Sequence, residues 1–226
     1  MKDKKFQIAI DGPSGVGKST LAKAIAKKLG IVYVDTGAIY RTVGLYAQQN
    51  HIDPNDEETL KKHFDKMNIE LKWTENGQRV LLSGKDISGE IRTHKSSMYA
   101  SAVSALPAVR AFLLDMQRDI AERNSVVMDG RDIGTVILPN ADVKIFMSAD
   151  ENSRARRRLT ELREKGENVS FEQVLGDMKQ RDKNDSTRST APLAAADDAI
   201  MLDNTNLDIE GTVDAAMKII LEKIKI

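Results

Sequence analysis

The sequence contains no cysteine, which excludes disulfides, thiolate zinc sites and thiol nucleophiles and fits a reducing compartment. Histidine is scarce: His51, His63 and His94 are the only three. Their spacing matches no ligand set and no acid or nucleophile is matched to them, so histidine-based metal chemistry and a catalytic triad are set aside. An excess of either charge is missing too. With 34 basic and 34 acidic residues the net charge is +0, so no global field recruits nucleic acid or a membrane surface, and any basic site must be local. No apolar run approaches membrane-spanning length. The charged start Met1-Lys2-Asp3-Lys4-Lys5 is not followed by a signal-type apolar region. These absences predict a cytoplasmic protein, expected to be a monomer, with no nucleic-acid or membrane partner. The 226 residues, 41% hydrophobic and 30% charged, suffice for one α/β core and a smaller appendage.

What is present begins at once. Phe6-Gln7-Ile8-Ala9-Ile10-Asp11 runs straight into Gly12-Pro13-Ser14-Gly15-Val16-Gly17-Lys18-Ser19-Thr20, the pattern G-x-x-x-x-G-K-S placed after a β-like run. Such a loop wraps its N–H groups around phosphate oxygens, and the helix that starts near Lys18 adds its positive dipole end. Lys18 supplies charge for the β- and γ-phosphates and Ser19 a hydroxyl for Mg²⁺, so Gly12 to Thr20 are assigned to ATP and Ser19 to the metal.

The remainder reads as α/β. A helix is predicted from about Lys18 to Leu29, a buried strand at Ile31 to Val34, and a helix from Ala38 to Gln49. Period-two alternation then flanks Asn76-Gly77, predicting a hairpin of Ile69 to Thr74 with Arg79 to Ser83, which interrupts the βαβ progression as an insertion. Helical stretches follow at Ile91 to Ala105 and Ala108 to Arg123, then strands at Ser125 to Asp129, Val143 to Met147 and Ala199 to Asp203. Five apolar strands separated by helices predict a P-loop NTPase-type parallel five-stranded sheet with helices on both faces and a small antiparallel hairpin insertion.

Ligands of open parallel sheets sit beyond the carboxyl ends of the strands. Polar residues there are therefore the first suspects: Asp11 with the loop, Asp35-Thr36-Gly37, Asp129-Gly130-Arg131-Asp132, and Asp203-Asn204-Thr205. Asp129 stands where a Walker-B carboxylate would, able to hold Mg²⁺ directly or through a water; Asp203 is read equally well as a turn or helix cap. Arginines come second, because their planar forks match phosphate: Arg41, Arg110, Arg131 and Arg188. Arg154, Arg157 and Arg158 share a predicted helix face and need an anion or the downstream Glu161 and Glu164 to offset their repulsion. Arg181, Asp185 and Arg188 share another. A D-x-x-G pattern occurs at Asp86 to Gly89 and Asp208 to Gly211, but without an N-K-x-D guanine reader, so a switch GTPase is not favoured.

Four blocks taken together, Gly12 to Thr20, Asp35-Thr36-Gly37-Ala38-Ile39-Tyr40-Arg41, Asp129-Gly130-Arg131-Asp132-Ile133-Gly134-Thr135 and Arg181-Asp182-Lys183-Asn184-Asp185-Ser186-Thr187-Arg188, resemble the bacterial cytidylate kinases over nearly the whole chain. The first block says only nucleotide; D-G-R-D-I-G-T and R-D-x-x-D-S-x-R are much more specific. The resemblance implies ATP:CMP phosphoryl transfer, with dCMP accepted and Mg²⁺ bound with ATP. It also implies that Thr36, Arg41, Arg131 and Arg188 lie around the monophosphate, that Ser101, Arg110 and Asp132 read cytosine, and that Arg181 and Asp185 hold the sugar. Lys18, Arg131, Arg154, Arg157 and Arg188 would act on the transferring group, Arg154 and Arg157 from a helical lid. The implied division is a core of 1–37, 105–149 and 167–226, a monophosphate-binding insertion of about 38–104 and a lid of about 150–166. A kinase for UMP or a hydroxylated metabolite is the alternative enzyme, and an ATP-sensing module without turnover the alternative of another class.

Overall fold

The computed structural model describes residues 5–75, 77–164 and 166–224, the side chain of His94 excepted. Met1 to Lys4 of the charged start and Asn76 of the expected hairpin turn lie outside the described residues. In chain order the elements are β1 (Gln7–Asp11), α1 (Lys18–Leu29), β2 (Val32–Asp35), α2 (Thr36–Gln49), α3 (Glu57–Lys61), β3 (Ile69–Thr74), β4 (Gly77–Leu82), β5 (Lys85–Asp86), α4 (His94–Val103), α5 (Pro107–Arg123), β6 (Val126–Gly130), β7 (Val143–Ser148), α6 (Glu151–Glu164), α7 (Phe171–Thr187), β8 (Ile200–Asp203) and α8 (Ile209–Ile224). Strands β2-β6-β1-β7-β8 form one sheet, parallel throughout, and β3-β4-β5 form the antiparallel insertion.

The sheet is buried on both faces, so its strands are apolar at successive positions rather than alternate ones. Ile8 and Ile10 of β1 join Leu21 and Ile25 of α1 and Val213, Ala216 and Ile220 of α8 on one face. Ala9, Val34 and Met128 join Ile39 and Val43 of α2 and Val109 and Leu113 of α5 on the other. Helices α6 and α7 pair around a separate apolar cluster of Ala155, Leu162, Val174 and Met178. Among the described residues no single helix is long and apolar enough to cross a membrane.

The five expected parallel strands and the hairpin form, with local differences that have local causes. Helix α2 begins at Thr36 rather than Ala38 because Asp35 caps it, its carboxylate accepting the Ala38 N–H at 2.9 Å. The helix expected from Ile91 to Ala105 is broken: a 3₁₀ turn covers Glu90–Arg92, and extended Thr93 then caps α4 through Ser96 N–H at 3.1 Å. Helix α5 opens at Pro107, whose missing N–H costs nothing in a first turn. Strand β4 starts at Gly77, earlier than Arg79, and β5 extends the hairpin to three strands.

Candidate active site

The carboxyl ends of β1, β2 and β6 lie side by side, register pairing Asp35 with Asp129 and Ile10 with Asp129. Each strand thereby delivers a polar residue to one edge of the sheet. The loop Gly12 to Gly17 crosses this edge with Gly12 at φ 146°, so close to β7 that a Cβ there would collide with the Met147 carbonyl oxygen; only glycine fits. Gly17, at φ 96°, turns the chain into α1. The Lys18 ammonium donates to the carbonyls of Gly12 at 2.8 Å and Pro13 at 2.7 Å. Burial, and then the positive charge of Arg131, push its pKa well below the ordinary value.

Beneath the loop is a carboxylate shelf. Asp129 accepts from Ser19 Oγ at 3.0 Å and from the Tyr33 hydroxyl at 2.8 Å. Burial and the neighbouring Asp35 raise Asp129 to about 6. Thr36, expected near the monophosphate, spends its hydroxyl on the Asp129 carbonyl at 2.7 Å and is buried. Asp11 accepts the N–H groups of Ile133 and Gly134 at 2.8 and 2.7 Å, fixing the π-helical turn Ile133–Ile137 that follows Asp132.

Burial lifts the Asp11 carboxyl from 3.8 to about 6 in spite of those two donors. The folded state therefore holds a proton that the unfolded chain has released, and this residue makes stability fall as pH rises from about 4 to about 6, by about 3 kcal/mol in all. Asp11→Asn is expected to remove that part of the slope, which urea unfolding at a series of pH values across the window will read; an unchanged slope would show that Asp11 titrates normally.

The predicted arginines separate into two groups. Arg41, Arg131 and Arg181 line the cleft that the loop opens into. Arg41 pairs with Asp35 at 2.8 Å, Arg131 with Asp185 at 2.9 Å, and Arg181 reaches Ser14 Oγ at 3.4 Å. Burial and the charge of Arg131 pull Arg181 down to about 10. The Nε atoms of Arg41 and Arg181 are buried and have no hydrogen-bond partner among the described residues. Three guanidiniums thus crowd one wall with donors to spare, an arrangement that an anion relieves. Arg110, Asp132 and Arg188 instead form a buried knot beside the cleft. Asp132 takes Arg110 on one oxygen and Arg188 on the other, the latter at 3.3 Å, while Arg188 also donates to Ser104 Oγ at 3.1 Å and the Ala191 carbonyl at 2.7 Å. Arg188 does not continue the helix face of Arg181 and Asp185, because α7 ends at Thr187 and Arg188 is extended. Ser101 Oγ lies 3.5 Å from Asp185, tying α4 to α7.

The basic face of α6 does not behave as one surface either. Arg154 is buried, donating to Asp182 and to the Ser14 carbonyl at 2.9 Å; Arg157 grips Asn204 through its carbonyl at 2.8 Å and its side chain at 3.1 Å; Arg158 pairs with Glu161 at 2.7 Å. Among the described residues, Arg158 alone of this face pairs with the downstream glutamates expected to offset it; Arg154 is drawn in by the α7 carboxylate and the loop.

Asp182 and Arg92 carry no assigned role in the sequence, and Asn204 and Arg158 no specific partner. Asp182, inside a quoted block, also accepts the Ser14 N–H at 3.0 Å. Asp203 is the exposed turn cap, bonded to Thr205 N–H, whereas its neighbour Asn204 is buried and donates to the Val16 carbonyl at 3.0 Å. Arg158 of the predicted arginine face lines the cleft as well, and so does Arg92, which the sequence pattern places inside a predicted helix and which no local signal marks. The cleft measures about 750 Å³, room for more than one nucleotide-sized ligand.

Among the described residues no group of three or more acidic or histidine side chains could cage a metal. What α1 and β6 do provide is a hydroxyl and a carboxylate 3.0 Å apart, Ser19 and Asp129. This small hard-oxygen set suits Mg²⁺, which takes one or two protein ligands and fills its shell with phosphate oxygens and water.

Comparison with known proteins agrees with this geometry. The cytidylate kinase family model matches residues 8–222. The chain is 49% identical to a cytidylate kinase of Thermosipho melanesiensis over 97% of this chain and 99% of that one, and 48% identical to one of Caldicellulosiruptor saccharolyticus over 96% of each. A gluconokinase of Sinorhizobium meliloti, 14% identical, is similar in fold alone, with a TM-score of 0.50 over 98% of this chain and 97% of that one. With a phosphate loop facing an arginine wall and a match that runs almost end to end, the chain belongs to the cytidylate kinase family.

Proposed function

We propose that this enzyme transfers the γ-phosphoryl group of ATP to CMP, and also to dCMP, giving ADP with CDP or dCDP. The observation that carries the reading is the second cationic wall. A loop built for triphosphate faces Arg41, Arg131 and Arg181, two of which keep buried Nε donors with no partner among the described residues. A nucleotide sensor needs only the loop, and a hydroxyl acceptor needs a base rather than three forks. A phosphate acceptor already carries its negative charge, so the site's work is positioning and charge neutralisation. Lys18 and the cleft arginines hold the two phosphates against their mutual repulsion, and the Asp132 knot reads the base. Mg²⁺, held at Ser19 and Asp129, would neutralise charge on the ATP phosphates.

The insertion of about 38–104 and the lid of about 150–166 are part of this proposal, α6 of the lid packing on α7 through their shared apolar cluster. Arg154→Ala and Arg157→Ala are each expected to depress kcat by at least about tenfold. Their stabilities should differ. Arg154→Ala takes the guanidinium from one oxygen of Asp182 and leaves it only the Ser14 N–H on the other, which costs about 1–3 kcal/mol, whereas half-buried Arg157 costs less. Thermal unfolding and steady-state rates on the two variants read both effects; stability loss with full activity would make these arginines structural.

A coupled assay for ADP release over CMP, dCMP, UMP, AMP and GMP tests the function. Turnover with CMP and dCMP far above UMP is the expected result. Best activity on UMP, or ADP release with none of them, would replace the reading with one of its alternatives.

A further inference from the structure

The hairpin β3–β4 carries an apolar stripe that changes character at its tip. Register places Ile69 opposite Leu82, Leu71 opposite Val80 and Trp73 opposite Gln78, and opposed residues of an antiparallel pair share a face. Ile69, Val80 and Leu82 are buried with Leu71 packed on them, so Trp73 and Gln78 prolong the inward face. There they meet β2, an edge strand of the parallel sheet. An edge strand offers unpaired N–H and C=O groups from alternate residues on its open side. Trp73 Nε1 donates to the Tyr33 carbonyl at 2.8 Å, Gln78 Oε1 accepts the Asp35 N–H at 2.8 Å, and Gln78 Nε2 donates to the Asp35 carbonyl at 3.5 Å. Two side chains thus do for Tyr33 and Asp35 what a further strand would do.

Both of the residues held in this way touch the site. The Asp35 carboxylate takes Arg41 at 2.8 Å, and the Tyr33 hydroxyl donates to Asp129 at 2.8 Å. We propose that Gln78, assisted by Trp73, is a positioning residue. By pinning the Asp35 backbone it fixes the carboxylate that aims Arg41, and so sets the affinity for the acceptor's phosphate. A primary amide suits this task because it carries an acceptor and a donor in one plane, matching the N–H and C=O of a single residue. The proposal rests on the CMP kinase reading above.

Gln78→Ala and Gln78→Met are to be compared with the wild type and with Arg41→Ala. Both Gln78 variants are expected to raise the KM for CMP about five- to tenfold, with kcat and the KM for ATP within about twofold. Methionine keeps the length of the side chain and should rescue nothing. In the Arg41→Ala background Gln78→Ala should raise the CMP KM no further, since the two act through one path. Trp73 is the single tryptophan, so its emission reads docking directly and should shift in Gln78→Ala. An unchanged CMP KM in Gln78→Ala, or an equal rise with Arg41 already removed, overturns the positioning role. Wild-type protein that turns over no CMP overturns the functional reading and the positioning role together; Trp73 emission then still shows whether Gln78 holds the hairpin to β2.

Discussion

Lys18→Ala is expected to lower kcat by about 10²- to 10³-fold, because the ammonium is a preorganised charge whose value is greatest as the γ-phosphoryl group transfers. The KM for CMP should stay within about twofold, since the proposed acceptor-phosphate ligands Arg41 and Arg131 are untouched. The fold should survive. Lys18 spends its donors on the Gly12 and Pro13 carbonyls of its own loop, so its loss is local and the Tm should change little. Steady-state kinetics with thermal unfolding on the same preparation separates these effects. A folded variant with near-native turnover would remove the loop lysine from the mechanism.

The second large effect concerns the base. Asp132 already accepts Arg110 and Arg188, one on each oxygen, yet a carboxylate has about four lone-pair positions and keeps capacity for a further donor. Cytosine offers an exocyclic amine where uracil offers a carbonyl. A site built on such a buried group discriminates by as much as about 10⁴-fold, because the wrong ligand leaves it unpaired. Asp132→Ala should therefore collapse the CMP/UMP ratio of kcat/KM, whereas Arg41→Ala should harm both substrates alike through the phosphate they share. The structure adds a second consequence. Removing Asp132 leaves two mostly buried guanidiniums facing each other without their anion, which costs about 3–5 kcal/mol. The Tm should drop with the specificity. Asp132→Asn, which keeps the shape and part of the acceptor capacity, should be milder on both counts. Equal losses on CMP and UMP from Asp132→Ala would assign the residue to holding the arginine knot rather than reading the base.

The phosphate loop was readable in the sequence because its function belongs to the backbone: glycine spacing after an apolar strand dictates where N–H groups point, and no distant residue is needed. The five strands and the hairpin were readable for a similar reason, since apolar runs and period-two alternation are local. The residues at the strand ends were found because a parallel sheet brings its carboxyl ends to one edge whatever else the chain does. Partnerships were another matter. Arg188 sits three residues after Asp185 and was placed with it on a helix, yet it leaves that helix and turns to Asp132. Asp203 drew attention as an acid at a strand end, and the amide of Asn204 beside it makes the buried bonds. Gln78 looked like one polar residue of a hairpin turn, and only its seat on β2 connects it to Arg41.

By itself, then, the sequence determined the class of fold, the triphosphate loop and the residue types available for a second anion. The tertiary structure alone decided which charge meets which. Asp11 reaches an N–H group 122 residues away, and Arg154 and Asp182 meet only because α6 and α7 fold into a hairpin. Periodicity fixes which face a side chain takes on its own element, whereas the partner across a gap depends on how whole elements pack. Burial then decides what that meeting is worth, since the same ion pair that contributes almost nothing in water governs pKa, stability and specificity once water is excluded.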